Sequence, residues 1–336
     1  MNQRPRVGVL GANSLVGETL LELLVERRFP AVEIRAFALG ATAGAQVSAG
    51  GEDWDIEELA GADLSAFDLL FAAPQTGLSP SALRALARGK TVLIDAGQAL
   101  GDEAGPISVV PEANGELLAG APSLIASPAA LSVALATLLK PLHSRYGLDR
   151  VQVSSYQAVS ELGREAVEEL AQQTRQLLTF QPVSTRVFSR QIAFNCLPLI
   201  GELDDQGQSS EERRVTAELR GLLGESALAI AITAVRVPVF YGHGASVSVE
   251  TTQPFDLIEV EALLAAAPGL SLVNDASRDY YPTAVTEASG EDAVCIGRLR
   301  RDPSHAQSLQ LWLVADNLRK GSALNAVQIA EALLAT

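Results

Sequence analysis

The chain is poor in the residues that build disulfide scaffolds and metal centres: its 336 residues include two cysteines, three histidines and one methionine. Two cysteines, Cys196 and Cys295, are too few for a disulfide framework or a cysteine-rich zinc site, and they favour a reducing, cytoplasmic compartment. Both lie in apolar runs, so we expect them to be buried. His143, His243 and His305 lack partners at metal-ligand spacing. We therefore predict no metal.

Positive charge is also scarce. Lys and Arg number 25 against 40 Asp and Glu, a net charge of −15. Such a protein repels nucleic-acid phosphates and anionic lipids, so we expect neither a nucleic-acid nor a membrane partner. No apolar run reaches membrane-spanning length, and we expect no signal peptide or anchor.

The composition is that of a globular protein, with 48% apolar and 19% charged residues, and the length suits two domains. In the first part of the chain, short β-rich runs alternate with helical stretches. This alternation predicts an α/β domain with a doubly wound, Rossmann-like and mostly parallel sheet.

After about Ser127 the pattern changes to longer, partly alternating runs separated by polar helices. It predicts an α+β domain with a mixed sheet, one face of which is covered by helices. Residues 186–200 are predicted to be one of its strands and 161–178 one of its helices. The chain then ends in a strand and a helix that could return to the first domain.

The segment Gly11-Ala-Asn-Ser-Leu-Val-Gly17 joins the first strand to the first helix. Glycines in this context let a backbone approach a pyrophosphate at a helix N-terminus. Ser14 replaces the middle glycine of a full fingerprint, and residues 39–44 offer no acid or arginine for the ribose. The segment therefore predicts either a weakened NAD or NADP site or a turn that has kept only its structural role. The candidate cofactor-binding residues are Gly11, Asn13, Ser14, Leu15, Val16 and Gly17.

A second group of candidates is polar. Arg236 and His243 flank a strand-to-turn segment, where an arginine can hold a carboxylate and a histidine can move a proton. Gln157 ends a predicted strand, and Glu211 and Arg214 begin a predicted helix. Taken one at a time, these residues are better explained by structural roles, such as a surface salt bridge, a capped backbone group, a satisfied polar side chain or a solvated helix face.

Taken together, these segments resemble the aspartate-semialdehyde dehydrogenase family over nearly the whole chain. The resemblance implies a dinucleotide-binding domain at 1–128 and about 315–336, a catalytic and dimerisation domain at 129–314, and a homodimer. The family oxidises aspartate semialdehyde to aspartyl phosphate with NADP and phosphate, in amino-acid biosynthesis. The segments that carry the resemblance are 7–17, 109–114, 139–142, 156–160, 193–195, 236–239, 242–243, 316–321 and 325–331.

The resemblance also implies roles for single residues. His243 corresponds to the acid/base histidine and Gln157 to the glutamine that orients the substrate. The substrate-binding positions are Arg236, Glu211 and Arg214, and Asn325 falls at a cofactor-binding position.

At the family's nucleophilic cysteine, however, this chain has Ala130. Gly101 stands where the family has its phosphate-binding arginine. The family's arginine for the 2′-phosphate of NADP would fall near Ala41. The chain thus resembles a cysteine-less branch of the family, and a methyl group cannot form an acyl-enzyme.

Three hypotheses follow from this combination. The chain is a homologue that has kept the fold and the dimer but cannot catalyse the family reaction. Alternatively, it is a thiol-independent NAD(P) oxidoreductase acting on another small carboxylate. As a third alternative, it senses a small dicarboxylate-like ligand or serves as a partner subunit of an active paralogue.

Overall fold

The computed structural model describes residues 4–41, 44–100, 106–273 and 280–335. Within them the strands are β1 (Arg6–Leu10), β2 (Glu33–Ala38), β3 (Gln46–Ala49), β4 (Glu52–Glu58), β5 (Leu69–Ala72), β6 (Val92–Asp95), β7 (Ile107–Ser108), β8 (Leu124–Ala126), β9 (Leu148–Gln157), β10 (Ala229–Arg236), β11 (His243–Thr251), β12 (Leu270–Leu272), β13 (Val294–Arg301) and β14 (Ser308–Ala315). The α-helices are α1 (Leu15–Glu26), α2 (Pro80–Leu86), α3 (Pro111–Asn114), α4 (Ala130–Tyr146), α5 (Arg164–Leu178), α6 (Ser210–Leu223), α7 (Leu257–Ala266) and α8 (Asn325–Ala335).

The first of two compact units comprises Met1–Ala129 and Ser322–Thr336. It contains an eight-stranded sheet in the order β3-β4-β2-β1-β5-β6-β8-β7, in which every pair is parallel except β3 with β4. The central strands are continuous apolar runs because both their faces are buried. The sequence prediction of a Rossmann-like α/β domain is confirmed.

The C-terminal helix completes this first unit. It contacts α1, α3 and β6, and its inner face is buried. Arg27 at the end of α1 binds Glu331 of α8 through two hydrogen bonds of 2.8 Å each.

The second unit is Ala130–Gly321. Its six-stranded sheet has the order β10-β9-β11-β14-β13-β12, with parallel pairs at its two ends and antiparallel pairs between. Helix α4 lies on this sheet, flanked by α6 and α7. The prediction of a mixed sheet in an α+β domain is confirmed.

The alternation along β9 shows how the sheet is covered. Val151, Val153 and Ser155 are buried, whereas Gln152 and Ser154 between them are exposed. One face of the sheet therefore packs against helices, and among the described residues the other face carries no helix over β9. No helix among the described residues is long and apolar enough to cross a bilayer.

One predicted element is wrong: residues 186–200 form an irregular segment and not a strand. Helix α5 supplies the reason. Its buried Glu169 accepts hydrogen bonds from the backbone N–H groups of Arg186 and Val187, and its buried Gln173 accepts from those of Ile192 and Ala193. Side chains therefore satisfy backbone groups that a neighbouring strand would otherwise pair.

Candidate ligand-binding site

A cluster of buried polar side chains forms around the C-terminal end of β9. Gln157, the last residue of β9, is 1% exposed, and its amide nitrogen donates to Oε1 of Glu211 (3.1 Å) and to Oγ of Ser155 (3.3 Å). Glu211 lies in the first turn of α6 and pairs with Arg214 one turn later. The amide oxygen of Gln157 has no hydrogen-bond partner among the described residues, which leave a buried acceptor unused at this point.

Ala158, the next residue, joins two further site residues through its backbone. Its N–H donates to Nδ1 of His243 (3.1 Å), and its carbonyl accepts from Nη1 of Arg236 (2.7 Å). The pairing of strands in the sheet explains why Arg236 and His243 both reach Ala158, the residue after Gln157. Arg236 ends β10 directly beside Gln157 in a parallel pair, and His243 begins β11, which runs antiparallel to β9.

Glu161 is a site residue that the sequence analysis missed. Its Oε2 lies 3.1 Å from Nε2 of His243. The prediction placed it on a polar helix, but it lies in a 3₁₀ turn, and Gly163 at φ +87° separates that turn from α5. Burial by itself would raise the pKa of Glu161; the hydrogen bond from His243 and the positive charges of Arg236 and Arg214 instead lower it to about 2.

The two arginines are charge-balanced by carboxylates. Burial lowers the pKa of Arg236, and the negative charges of Glu161 and Glu211 oppose this change. Burial acts in the same direction on Arg214, but Glu211, Glu218 and Glu161 together raise its pKa. Both guanidinium groups therefore stay charged in a largely buried site, where an arginine can hold a carboxylate through two parallel hydrogen bonds.

The turn that precedes His243 is held by a second segment of the chain. Oδ1 of Asn317 accepts from the backbone N–H of Gly242 (2.9 Å), and its Nδ2 donates to Oγ of Ser160 (3.0 Å). Asp316 beside it accepts from the N–H of Gly290 (2.8 Å). The sequence signal was the segment 316–321, to which the sequence analysis assigned no role in the site.

Ala130, to which the sequence resemblance assigns the position of the nucleophilic cysteine, is the first residue of α4 and is 3% exposed. Its methyl group packs close to Gly321: a Cβ atom built on that glycine would lie 2.5 Å from the Cβ of Ala130 and 2.9 Å from its Cα. Ser132 follows in the first turn of the helix, and its buried hydroxyl has no hydrogen-bond partner.

The two cysteines lie elsewhere in this unit. Cys295 is buried on β13, as expected, and burial raises the pKa of its thiol. The expectation of burial is wrong for Cys196, which is exposed because it lies in the irregular segment just after Phe194 at φ +58°. Within the described residues, no group of three or more His, Cys, Asp and Glu side chains is placed to hold a metal ion.

The glycine-containing turn of the first unit has a tight geometry. Gly11 has φ +77°, and a Cβ on Gly17 would collide with the carbonyl oxygen of Gly11 and lie 2.7 Å from Cα of Ala12. Ser14, at the middle position, is the N-cap of α1: its hydroxyl accepts from the N–H of Gly17 (3.1 Å) and donates to the carbonyl of Gly11 (2.7 Å). Both outer glycines are therefore required by close packing.

The other predicted cofactor positions are distributed around this turn. Asn13 is exposed, and Leu15 and Val16 begin α1. Ala41, beyond the end of β2, presents a neutral methyl group. Gly101, the position of the phosphate-binding arginine, lies outside the described residues.

Asn325 opens α8 and is fully buried. Its Nδ2 donates to the carbonyl of Val109 (3.0 Å) and to Oγ of Ser127 (2.8 Å), whereas no group in the part of the chain that the structure describes donates to its Oδ1. A buried amide oxygen without a donor points to a hydrogen-bonding group supplied by a ligand or water.

Family models for the semialdehyde dehydrogenase NAD binding domain and the semialdehyde dehydrogenase dimerisation domain match residues 6–121 and 139–320. The chain is 40% identical to aspartate-semialdehyde dehydrogenase of Shewanella violacea over 337 residues, 99% of each chain. It belongs to the aspartate-semialdehyde dehydrogenase family. The crystal structure of aspartate semialdehyde dehydrogenase II from Vibrio cholerae superimposes with a TM-score of 0.93 at 37% identity, covering 99% of both chains.

Within the aspartate-semialdehyde dehydrogenase family, the chain is also 38% identical to a protein named USG-1 protein homolog from Pseudomonas aeruginosa, again over 99% of both chains. The resemblance found in the sequence is thereby confirmed. The structure brings Gln157, Arg236, His243, Glu211 and Arg214 together within the second unit.

Proposed function

We propose that this member of the aspartate-semialdehyde dehydrogenase family binds a small carboxylate ligand but does not carry out the thiol-dependent oxidation of aspartate semialdehyde. The observation that carries the proposal is the contrast between the assembled polar cluster at the end of β9 and the methyl group of Ala130 at the start of α4. The groups that bind and orient a carboxylate are retained, and the group that would form a covalent bond to the substrate is not.

The loss of the thiol removes the covalent step. An acyl-enzyme forms when a thiolate attacks a carbonyl carbon, and neither cysteine supports that chemistry here. Cys295 is buried with a raised pKa, so its sulfur is held as a thiol, and Cys196 is exposed on an irregular segment. Both features support a chain that is catalytically inactive in the family reaction.

The retained groups support carboxylate binding. Arg236 is fixed by Ala158 and Arg214 by Glu211, so neither guanidinium has to be ordered when a ligand binds. Gln157 pairs with Glu211, and His243 accepts from Ala158, the residue whose carbonyl holds Arg236. In this proposal the arginines hold the carboxylate of the ligand, and Gln157 accepts a hydrogen bond from another part of it.

Some residues of the predicted nucleotide site suit a dinucleotide and others do not. The glycine turn between β1 and α1, which leads into the N-terminus of α1, would receive the pyrophosphate, and the Oδ1 of Asn325, which has no partner among the described residues, would accept a hydrogen bond from the cofactor. A bound nicotinamide nucleotide supplies hydride transfer. Ser14 narrows the approach to the turn, and Ala41 gives no cation for a 2′-phosphate, which supports weakened binding of NAD or NADP. The glycine turn and Asn325 favour the second candidate function, a thiol-independent oxidoreductase.

We also propose that the chain forms a homodimer through the face of the second sheet that carries no helix over β9. Ser154, Ser246 and Trp312 lie side by side on this face, and Tyr156, 38% exposed, stacks against Trp312 at 5.6 Å between ring centroids. Sedimentation should show a dimer, and Ser154→Arg, which places a charge in the middle of the face, should give a monomer.

The catalytic part is tested by following NADP reduction with aspartate semialdehyde and phosphate. We expect no enzyme-like rate. An enzyme-like rate that is abolished in His243→Ala would overturn the proposal. The same assay on Ala130→Cys shows whether the missing thiol is the sole defect, since only then does activity appear.

The binding part is tested by calorimetry with small carboxylates. Arg236→Lys keeps the positive charge but loses the forked geometry, so affinity should fall by ~10-fold or more. Arg175→Lys, an exposed position on α5, is the matched control and should bind like the parent. Equal affinities in all three proteins would show that the pocket is not the binding site. Titration of NAD and NADP in the same experiment tests the second candidate function, which fails if neither nucleotide binds.

A further inference from the structure

His243 has both ring nitrogens occupied by the protein. The backbone N–H of Ala158 donates to Nδ1 (3.1 Å), so Nδ1 must be the unprotonated nitrogen of a neutral ring. The proton then lies on Nε2, which donates to Oε2 of Glu161 (3.1 Å). In this arrangement the imidazole, 2% exposed, has no lone pair free to accept a proton from a ligand.

Glu161 also changes the charge of the pocket. Arg236 and Arg214 contribute two positive charges, which Glu211 and Glu161 balance, and the neutral ring of His243 adds none. Without Glu161 the same pocket would carry one net positive charge. Its carboxylate therefore occupies the His243 end of the site, where it opposes the approach of a second anion.

The unused groups of the pocket indicate what a ligand must bring. Oε1 of Gln157 is buried without a partner, and it is an acceptor. Glu161 is also an acceptor and has a second oxygen. These two acceptors, Glu161 at His243 and Gln157 at the end of β9, call for a ligand group that donates hydrogen bonds, such as an ammonium, a hydroxyl or an amide.

From this juxtaposition we infer that Glu161 is a specificity-determining residue: it excludes ligands with an anionic group at the His243 end and selects those with one carboxylate, held by Arg236 and Arg214, and a hydrogen-bond donor at the other end. The inference deepens the proposed function and depends on it. The inference narrows the expected ligand from a dicarboxylate-like compound to a monocarboxylate. It also disfavours a ligand with an acyl phosphate at the His243 end. The pKa of Glu161, lowered to about 2, keeps its carboxylate charged throughout the neutral range.

The test compares two ligands of equal chain length, 4-hydroxybutyrate and succinate, by calorimetry at pH 7. The parent chain should bind 4-hydroxybutyrate at least ~10-fold more tightly than succinate, because a second carboxylate meets the charge of Glu161. Glu161→Gln removes that charge but keeps a hydrogen-bond acceptor for His243. It should tighten succinate binding by ~10-fold or more and remove the preference. Glu168→Gln, the same change at an exposed position of α5, should behave like the parent.

A ligand-free measurement tests the geometry that underlies the inference. The ¹⁵N shifts of the His243 ring at pH 7 should report the neutral tautomer with the proton on Nε2. A ring protonated on Nδ1 would overturn the inference. So would succinate binding that is as tight as that of 4-hydroxybutyrate and unchanged in Glu161→Gln, a result that leaves the carboxylate-binding function intact. If no carboxylate binds either protein, the proposed binding function itself fails.

Discussion

The pair formed by Glu161 and His243 predicts a specific dependence of stability on pH. The pKa of Glu161 falls from its ordinary value of 4.5 to about 2 in the folded chain, and its side chain is only 19% exposed. At ~1.4 kcal/mol per pKa unit, this difference contributes about 3 kcal/mol to the free energy of unfolding at pH 7. Glu161→Gln should remove that contribution, because glutamine resembles the protonated acid.

The sign follows from the direction of the pKa change. A lowered pKa means that the unfolded chain takes up a proton before the folded chain does as the pH falls. The stabilisation is complete above pH 4.5 and is lost as the pH falls towards 2. The difference between the parent and Glu161→Gln should therefore shrink by about 1 kcal/mol between pH 7 and 4, and by about 2 kcal/mol between pH 7 and 3.

Urea unfolding at pH 7, 5, 4 and 3 measures this difference directly. Glu168→Gln is the matched control, since its carboxylate is exposed, and its difference from the parent should stay near zero at every pH. A difference between the parent and Glu161→Gln that is independent of pH would refute the reasoning, because it would show that the carboxylate has the same pKa in both states.

Three further predictions concern packing, reactivity and helix capping. Gly17→Ala should lower the free energy of unfolding by about 2–3 kcal/mol, because its Cβ would meet backbone atoms. Gly221→Ala, where the space around the glycine of α6 is open, should raise the free energy of unfolding by up to about 1 kcal/mol. Urea unfolding of both variants separates the steric clash from the effect of alanine on helix propensity. In the native chain, a thiol reagent should modify Cys196 and spare Cys295, and rapid labelling of both, read by mass spectrometry, would contradict the described burial. Ser209→Ala, which removes the capping box of α6, should cost about 1 kcal/mol, and an unchanged urea midpoint would argue against that cap.

The sequence predicts the fold well where local signals and tertiary packing agree. The run before Gly11 is apolar because its strand is buried on both faces, and the Ser14 cap marks the start of α1. The prediction fails at 186–200, where apolar residues suggested a strand. There the backbone partners are Glu169 and Gln173, far away in sequence, and no local pattern announces them.

The candidate site likewise contains residues that the sequence indicated and one that only the structure identifies. Gln157, Arg236 and His243 were identified as candidates from their residue types and from the family resemblance. Glu161 was overlooked because in sequence it begins a polar stretch typical of a solvated helix. Its contact with His243 joins residues 82 positions apart, and Gly163, at φ +87°, separates the turn that carries it from α5.

By itself, the sequence predicts two α/β-type units, a glycine turn between the first strand and the first helix, a set of polar candidates and, through the family resemblance, Ala130 in place of a nucleophilic cysteine. These properties depend on residue identity and on short-range pattern. Tertiary structure alone decides that Ala158 joins His243 to Arg236, that Glu161 takes the free nitrogen of the imidazole, and that the pocket is charge-balanced. The physical reason is that strand ends from distant parts of the chain meet at one edge of the sheet, where burial makes each charge depend on its neighbours.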